Sequence, residues 1–114
     1  MPHFVIDCSP AVLTLQPAET LIREVHDTAE STGLFGPGDI KVRVNVYALY
    51  SVGRTNGDFI HVFGYIMEGR TTEQKQDLSK RIIRNLTAMF PQVPVISMNV
   101  TDFEKATYCN RTMV

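Results

Sequence analysis

Apolar and polar positions along this chain change period from place to place, and each change marks an element. Residues 3–8 (His-Phe-Val-Ile-Asp-Cys) alternate, with Phe4, Ile6 and Cys8 on one side, and read as a strand that Ser9-Pro10 ends. Pro17 then stands as the first residue of a helix, where its missing N–H has no partner to lose, and Gly33 follows the helix end. Between them Leu21, Ile22, Val25 and Ala29 recur at helical spacing. Residues 40–48 alternate strictly, turning Val42, Val44 and Val46 to a core and Lys41, Arg43 and Asn45 away from it. Asn56-Gly57-Asp58 signals a turn, and residues 59–67 form a second central strand. Thr71 with Gln74 has the form of a capping box, and the helix behind it carries Leu78, Ile82, Leu86 and Met89 or Phe90 on one stripe. Pro91 and Pro94 stop that helix, residues 95–101 form a last strand, and the tail 102–114 has no clear period.

The order is strand, helix, strand, twice over. The chain therefore predicts an α+β fold in one domain spanning residues 1–114, built from two βαβ units at about 2–48 and 58–101. The two units predict one four-stranded mixed sheet with both helices on one face. Strand 59–67 is apolar on both sides: Ile60, Val62 and Ile66 point one way, and Phe59, Phe63, Tyr65 and Met67 the other. Two helices cover one of those sides, so the second is expected to meet other subunits.

Composition removes several classes of function. A net charge of −1 with no Lys/Arg block disfavours nucleic-acid binding. No apolar run reaches the ~18 residues of a membrane span, and the first residues do not read as a signal peptide, so the expected location is the cytoplasm. Cys8 and Cys109 lie far apart with no CxxC, and His3, His26 and His61 lack metal-site spacing, so no metal site is expected. Neither a Walker loop nor a GxGxxG is present.

Chemistry is offered at the second residue. The chain opens Met1-Pro2-His3-Phe4, and an initiator Met is commonly removed before a small residue such as Pro. Removal would leave Pro2 with a free secondary amine at the head of an apolar strand. An amine in apolar surroundings has a lowered pKa and can serve as a general base near neutral pH. With Met1 attached the same nitrogen is a tertiary amide without a basic lone pair.

Pro2-His3-Phe4 opening a strand, Thr32-Gly33-Leu34-Phe35, Ile40-Lys41-Val42-Arg43-Val44 and Gly69-Arg70-Thr71 before the second helix occur in that order. Together they resemble the 5-carboxymethyl-2-hydroxymuconate Δ-isomerase family of the tautomerase superfamily, over nearly the whole chain. The resemblance implies a cofactor-free homotrimer of β-α-β repeats acting on an unsaturated hydroxy polycarboxylic acid from aromatic (homoprotocatechuate) breakdown. It implies Pro2 as the catalytic residue, base first and acid after. Such a reaction develops negative charge on oxygen and needs cations near it. Arg70, beside a helix N-terminus that itself favours anions, matches a carboxylate-binding Arg of the family. Lys41 stands where the family usually has Arg, a departure, since an ammonium cannot make the two-pronged bond of a guanidinium. Arg43 projects from the same side and can share the task. Phe4, Phe35 and Phe59 are candidates for an apolar wall that lowers the Pro2 pKa, although each also suits core packing. Tyr47, Tyr50 and Tyr108 are candidate hydroxyls that spacing does not rank. The Lys41 departure keeps open another tautomerase-superfamily reaction on a small enol or unsaturated acid. A non-enzymatic, cytokine-like interaction protein is the remaining alternative.

Overall fold

The computed structural model describes residues 1–36 and 38–114. Strand β1 (His3–Cys8) leads through a short helix α1 (Val12–Leu15) into helix α2 (Ala18–Ser31) and strand β2 (Lys41–Val46). Strand β3 (Phe59–Met67), helix α3 (Thr72–Met89) and strand β4 (Val95–Phe103) repeat that order, and a 3-10 turn at Arg111–Met113 ends the chain. The sheet runs β2-β1-β3-β4, with β1 parallel to β2, β3 parallel to β4, and β1 antiparallel to β3. This is the expected four-stranded mixed sheet. Helices α2 and α3 pack on one face of it, joined by Asn85 Nδ2 donating to Thr28 Oγ1 at 2.8 Å.

The core forms where the alternation said it would. Phe4, Ile6 and Cys8 of β1 and Ile60, Val62 and Ile66 of β3 are fully buried under Leu21 and Val25 of α2 and Leu78 and Leu86 of α3. Burying one such side chain stabilises the fold by about 1.5–3 kcal/mol, so this layer holds the sheet to its helices. Gly64 faces Phe4 across the β1–β3 pair, and a Cβ there would stand 3.4 Å from the Phe4 ring and 2.9 Å from Met98 Cε. The glycine thus makes room for the large ring. Helix α3 begins at a complete capping box: Gln74 N–H donates to Thr71 Oγ1 at 3.1 Å, and Thr71 N–H donates to Gln74 Oε1 at 2.8 Å.

Three expectations shift. Pro17 is the N-cap of α2 and not its first residue; its extended backbone leaves its carbonyl to accept from Thr20 and Leu21. Strand β4 continues to Phe103 because its parallel ladder with β3 runs on to Met67. Val46, expected in the core, is 46% exposed, since it ends the outermost strand. The second face of the sheet carries no helix among the described residues. His61 sits in its middle, with Ser97 Oγ–H donating to Nδ1 and Nε2–H donating to Asn99 Oδ1, each at 2.7 Å. Phe63 stacks along Tyr65, and Tyr65 along Phe103, across the same face.

Candidate active site

At one corner of the sheet the chain enters β1 beside the start of β2 and the ends of β3 and β4. In register, His3 lies between Lys41 and Tyr65, and Met67 lies beside Phe103. Pro2 is buried here, and its carbonyl accepts from Lys41 N–H at 3.1 Å. The free amine of the chain as it stands belongs to Met1. It donates to the Asp39 carbonyl at 3.4 Å and lies 3.9 Å from the Asp39 carboxylate. Burial holds this amine below its ordinary pKa; Asp39 opposes the shift, and the charges of Lys41 and Arg70 add to it. Two cations separated by 29 residues in sequence therefore converge on the amino terminus.

Arg70 is half-buried, and the turn before it depends on Gly69 at φ 116°. Its guanidinium lies 5.4 Å above the Phe35 ring, and Nη2 donates to the Leu34 carbonyl at 2.5 Å. Arg70 thus braces the 34–35 turn as well as charging the corner. Phe35 meets Phe4 edge-on at 6.0 Å, so these two expected wall residues touch each other, with Phe4 fully buried in the core. Phe59 does not join them. Antiparallel pairing places the start of β3 at the opposite end of β1, where Phe59 packs on Tyr50 at 5.2 Å. Lys41 Nζ donates to the Asp39 carbonyl at 2.8 Å. Arg43 lies on the open face, its Nη1 donating to His3 Nδ1 at 3.0 Å. A guanidinium cannot accept, so the neutral His3 ring carries its proton on Nε2. Burial and the charges of Arg43, Lys41 and the amino terminus keep the His3 pKa low. His3, Arg43, Tyr65 and Phe103 line a cavity of 320 Å³.

Sequence reasoning did not find His3, Tyr65, Asp39 or Phe103. His3 had a signal, being next to Pro2; the others are brought in only by strand register and the loop before β2. On α2, His26, Asp27 and Glu30 gather ligand atoms within 4.8 Å, the ordinary spacing of one helix turn with its carboxylates in solvent.

A sequence model of 5-carboxymethyl-2-hydroxymuconate isomerases matches residues 2–113. A 5-carboxymethyl-2-hydroxymuconate Delta-isomerase of Escherichia coli is 24% identical over 106 residues, covering 91% of this chain and 84% of that protein. The structure of a 5-carboxymethyl-2-hydroxymuconate isomerase from Deinococcus radiodurans superposes with a TM-score of 0.85 at 18% identity, over 96% of this chain and 88% of that one. A fused 4-OT, described as a wild-type symmetric trimer, superposes with a TM-score of 0.80 at 14% identity, over 98% of this chain and 94% of that one. At such identities the structural likeness is one of fold, and the fold is that of the tautomerases. No helix of the described residues is long and apolar enough to cross a membrane. With residues 2–113 matched, nearly the whole chain, this chain belongs to the 5-carboxymethyl-2-hydroxymuconate isomerase family.

Proposed function

We propose that this protein is a cofactor-independent isomerase that shifts a double bond in an unsaturated hydroxy polycarboxylic acid of the 5-carboxymethyl-2-hydroxymuconate type. After Met1 is removed, the Pro2 amine takes a proton from the substrate and, now protonated, returns one to another carbon. Arg70, Lys41 and Arg43 bind the substrate carboxylates and the charge that develops on oxygen, while Phe4 and Phe35 keep the amine in apolar surroundings. The observation that carries this reading is the convergence of Lys41 and Arg70 on a partly buried amino terminus whose pKa is held low. An amine whose pKa is lowered gives up its proton more readily and is better suited to act as base, and cations beside it stabilise the anion it creates. The mechanism needs no metal or cofactor.

The chain is read as one domain over residues 1–114, working in the cytoplasm as a homotrimer whose subunits cover one another's open sheet faces. A sedimentation mass of about three times 12.8 kDa is expected; a stable monomer with the sheet face in water contradicts the trimer.

The deciding experiment is an ultraviolet assay of Met1-free protein on a panel of enol and dienol acids. Fast conversion of the tricarboxylate dienol, strongly reduced by Pro2→Ala, is the expected result. Faster conversion of mono-acid enols keeps the Pro2 mechanism and changes the substrate, the outcome that Lys41 in place of Arg favours. Binding to a protein with no turnover of any enol acid supports an interaction role instead.

A further inference from the structure

The chain's four tyrosines differ in what their hydroxyls meet. Tyr47 is 42% exposed beyond the end of β2, and Tyr50 donates to the Asn56 carbonyl at 3.0 Å; both lie away from the amino terminus. Tyr65 stacks between Phe63 and Phe103 on the open face. Tyr108 alone reaches residue 1: its hydroxyl donates to the Met1 thioether.

Three contacts hold it there. Lys105 N–H donates to Glu68 Oε1 at 3.1 Å, Tyr108 N–H donates to the Glu104 carbonyl at 3.1 Å, and the Tyr108 ring packs on Phe103 at 6.0 Å. The tail is thereby folded back over the corner where the chain begins. A thioether is a weak acceptor, and among the described residues the Tyr108 hydroxyl has no other partner. Loss of Met1 takes that partner away and opens the space it filled, beside the Pro2 nitrogen and within the influence of Lys41 and Arg70. A half-buried hydroxyl facing a vacated cationic space is suited to an anionic oxygen.

We infer that Tyr108 is a hydrogen-bond donor to the substrate, meeting the oxygen that gains negative charge while the Pro2 amine holds the proton. The inference rests on the Pro2 reading and adds to it the tail as part of the site. The O–H bond of Tyr108 stays intact throughout; the transferred proton travels through the amine alone.

Tyr108→Phe keeps the ring on Phe103 and removes only the donor. In Met1-free protein this variant is expected to lose about ten- to hundred-fold in kcat with KM little changed, the pattern of a bond strengthened in the transition state. Its thermal midpoint should be unchanged. So should the pH dependence with which an electrophilic alkynoic acid labels the amino-terminal amine. Unaltered kcat in Tyr108→Phe, with turnover strongly reduced in Pro2→Ala, overturns the role of Tyr108 and leaves the Pro2 reading standing. A lowered kcat accompanied by a shifted amine titration also overturns it, since Tyr108 would then act through the amine. Full turnover in Pro2→Ala overturns both.

Discussion

In the first βαβ half, β1 begins beside β2 with His3 level with Lys41; in the second, β3 begins beside β4 with Phe59 level with Val95. The backbone arrangement is the same and the chemistry is not. At the first corner lies the amino terminus, with the charges of Lys41 and Arg70 acting on its amine and Arg43 bonded to His3 beside it. At the second the chain arrives through a loop, and its polar groups satisfy one another. Ser9 is fully buried, donates from Oγ to Asp58 at 3.0 Å, and accepts from Phe59 N–H at 3.2 Å. Level with Arg43 in this half stands the neutral Ser97. The fold supplies two equivalent corners; one holds a terminus with Lys41 and Arg70 converging on it, the setting of the proposed chemistry, and the other closes its polar groups in a hydrogen-bond set.

That contrast breaks most readily at the amine. Replacing Pro2 by Ala should lower turnover by about 10²–10⁴-fold, the usual range for removing a positioned acid–base group, with the oligomer intact. Arg70→Ala comes next. It removes a cation and the brace on the Leu34 carbonyl, so kcat/KM should fall about a hundred-fold, in the range for losing one donor to a developing charge. Lys41→Ala should raise KM about ten-fold, the scale of one exposed charge-assisted bond, and Lys41→Arg should restore or better the original value if two-pronged binding is what the site lacks. At the other corner Ser9→Ala should leave turnover alone and destabilise the fold by about 1–3 kcal/mol, measured by denaturant unfolding, because Phe59 N–H and Asp58 lose their partner.

The same corner should show itself at high pH. Burial, with Asp7 adding, pushes the Cys8 thiol up to about 11. The unfolded chain releases that proton earlier than the folded one, so this contribution to stability is complete below the ordinary thiol value of 9.0 and fades as pH rises toward 11. Cys109, exposed, should react with a thiol reagent near neutral pH while Cys8 does not. Equal reaction rates would show that the core opens.

The sequence made the core legible because burial and period agree there. Phe4 and Ile6, or Leu78 and Leu86, declare their faces through spacing alone, and Thr71 with Gln74 names the helix start through chemistry local to four residues. Pro2, Lys41, Arg43 and Arg70 stand out as candidates by residue type and resemblance. What spacing could not supply was the register of distant strands. Phe59 looked equivalent to the residues beside Pro2, because both open a strand, yet antiparallel pairing sends it to the far end of the sheet. The His3–Arg43 bond spans 40 positions and follows from the β1–β2 register alone. Tyr108 lies in a tail without period, and it is placed by Glu68, Glu104 and Phe103, none of which marks a fold element by itself.

The central claim is that a free Pro2 amine does the work, and it is tested most directly by intact mass set against turnover of the tricarboxylate dienol in the same protein fractions. Turnover should rise in proportion to the fraction of chains lacking Met1 and vanish where Met1 is retained. Full turnover by chains that still carry Met1 would contradict it.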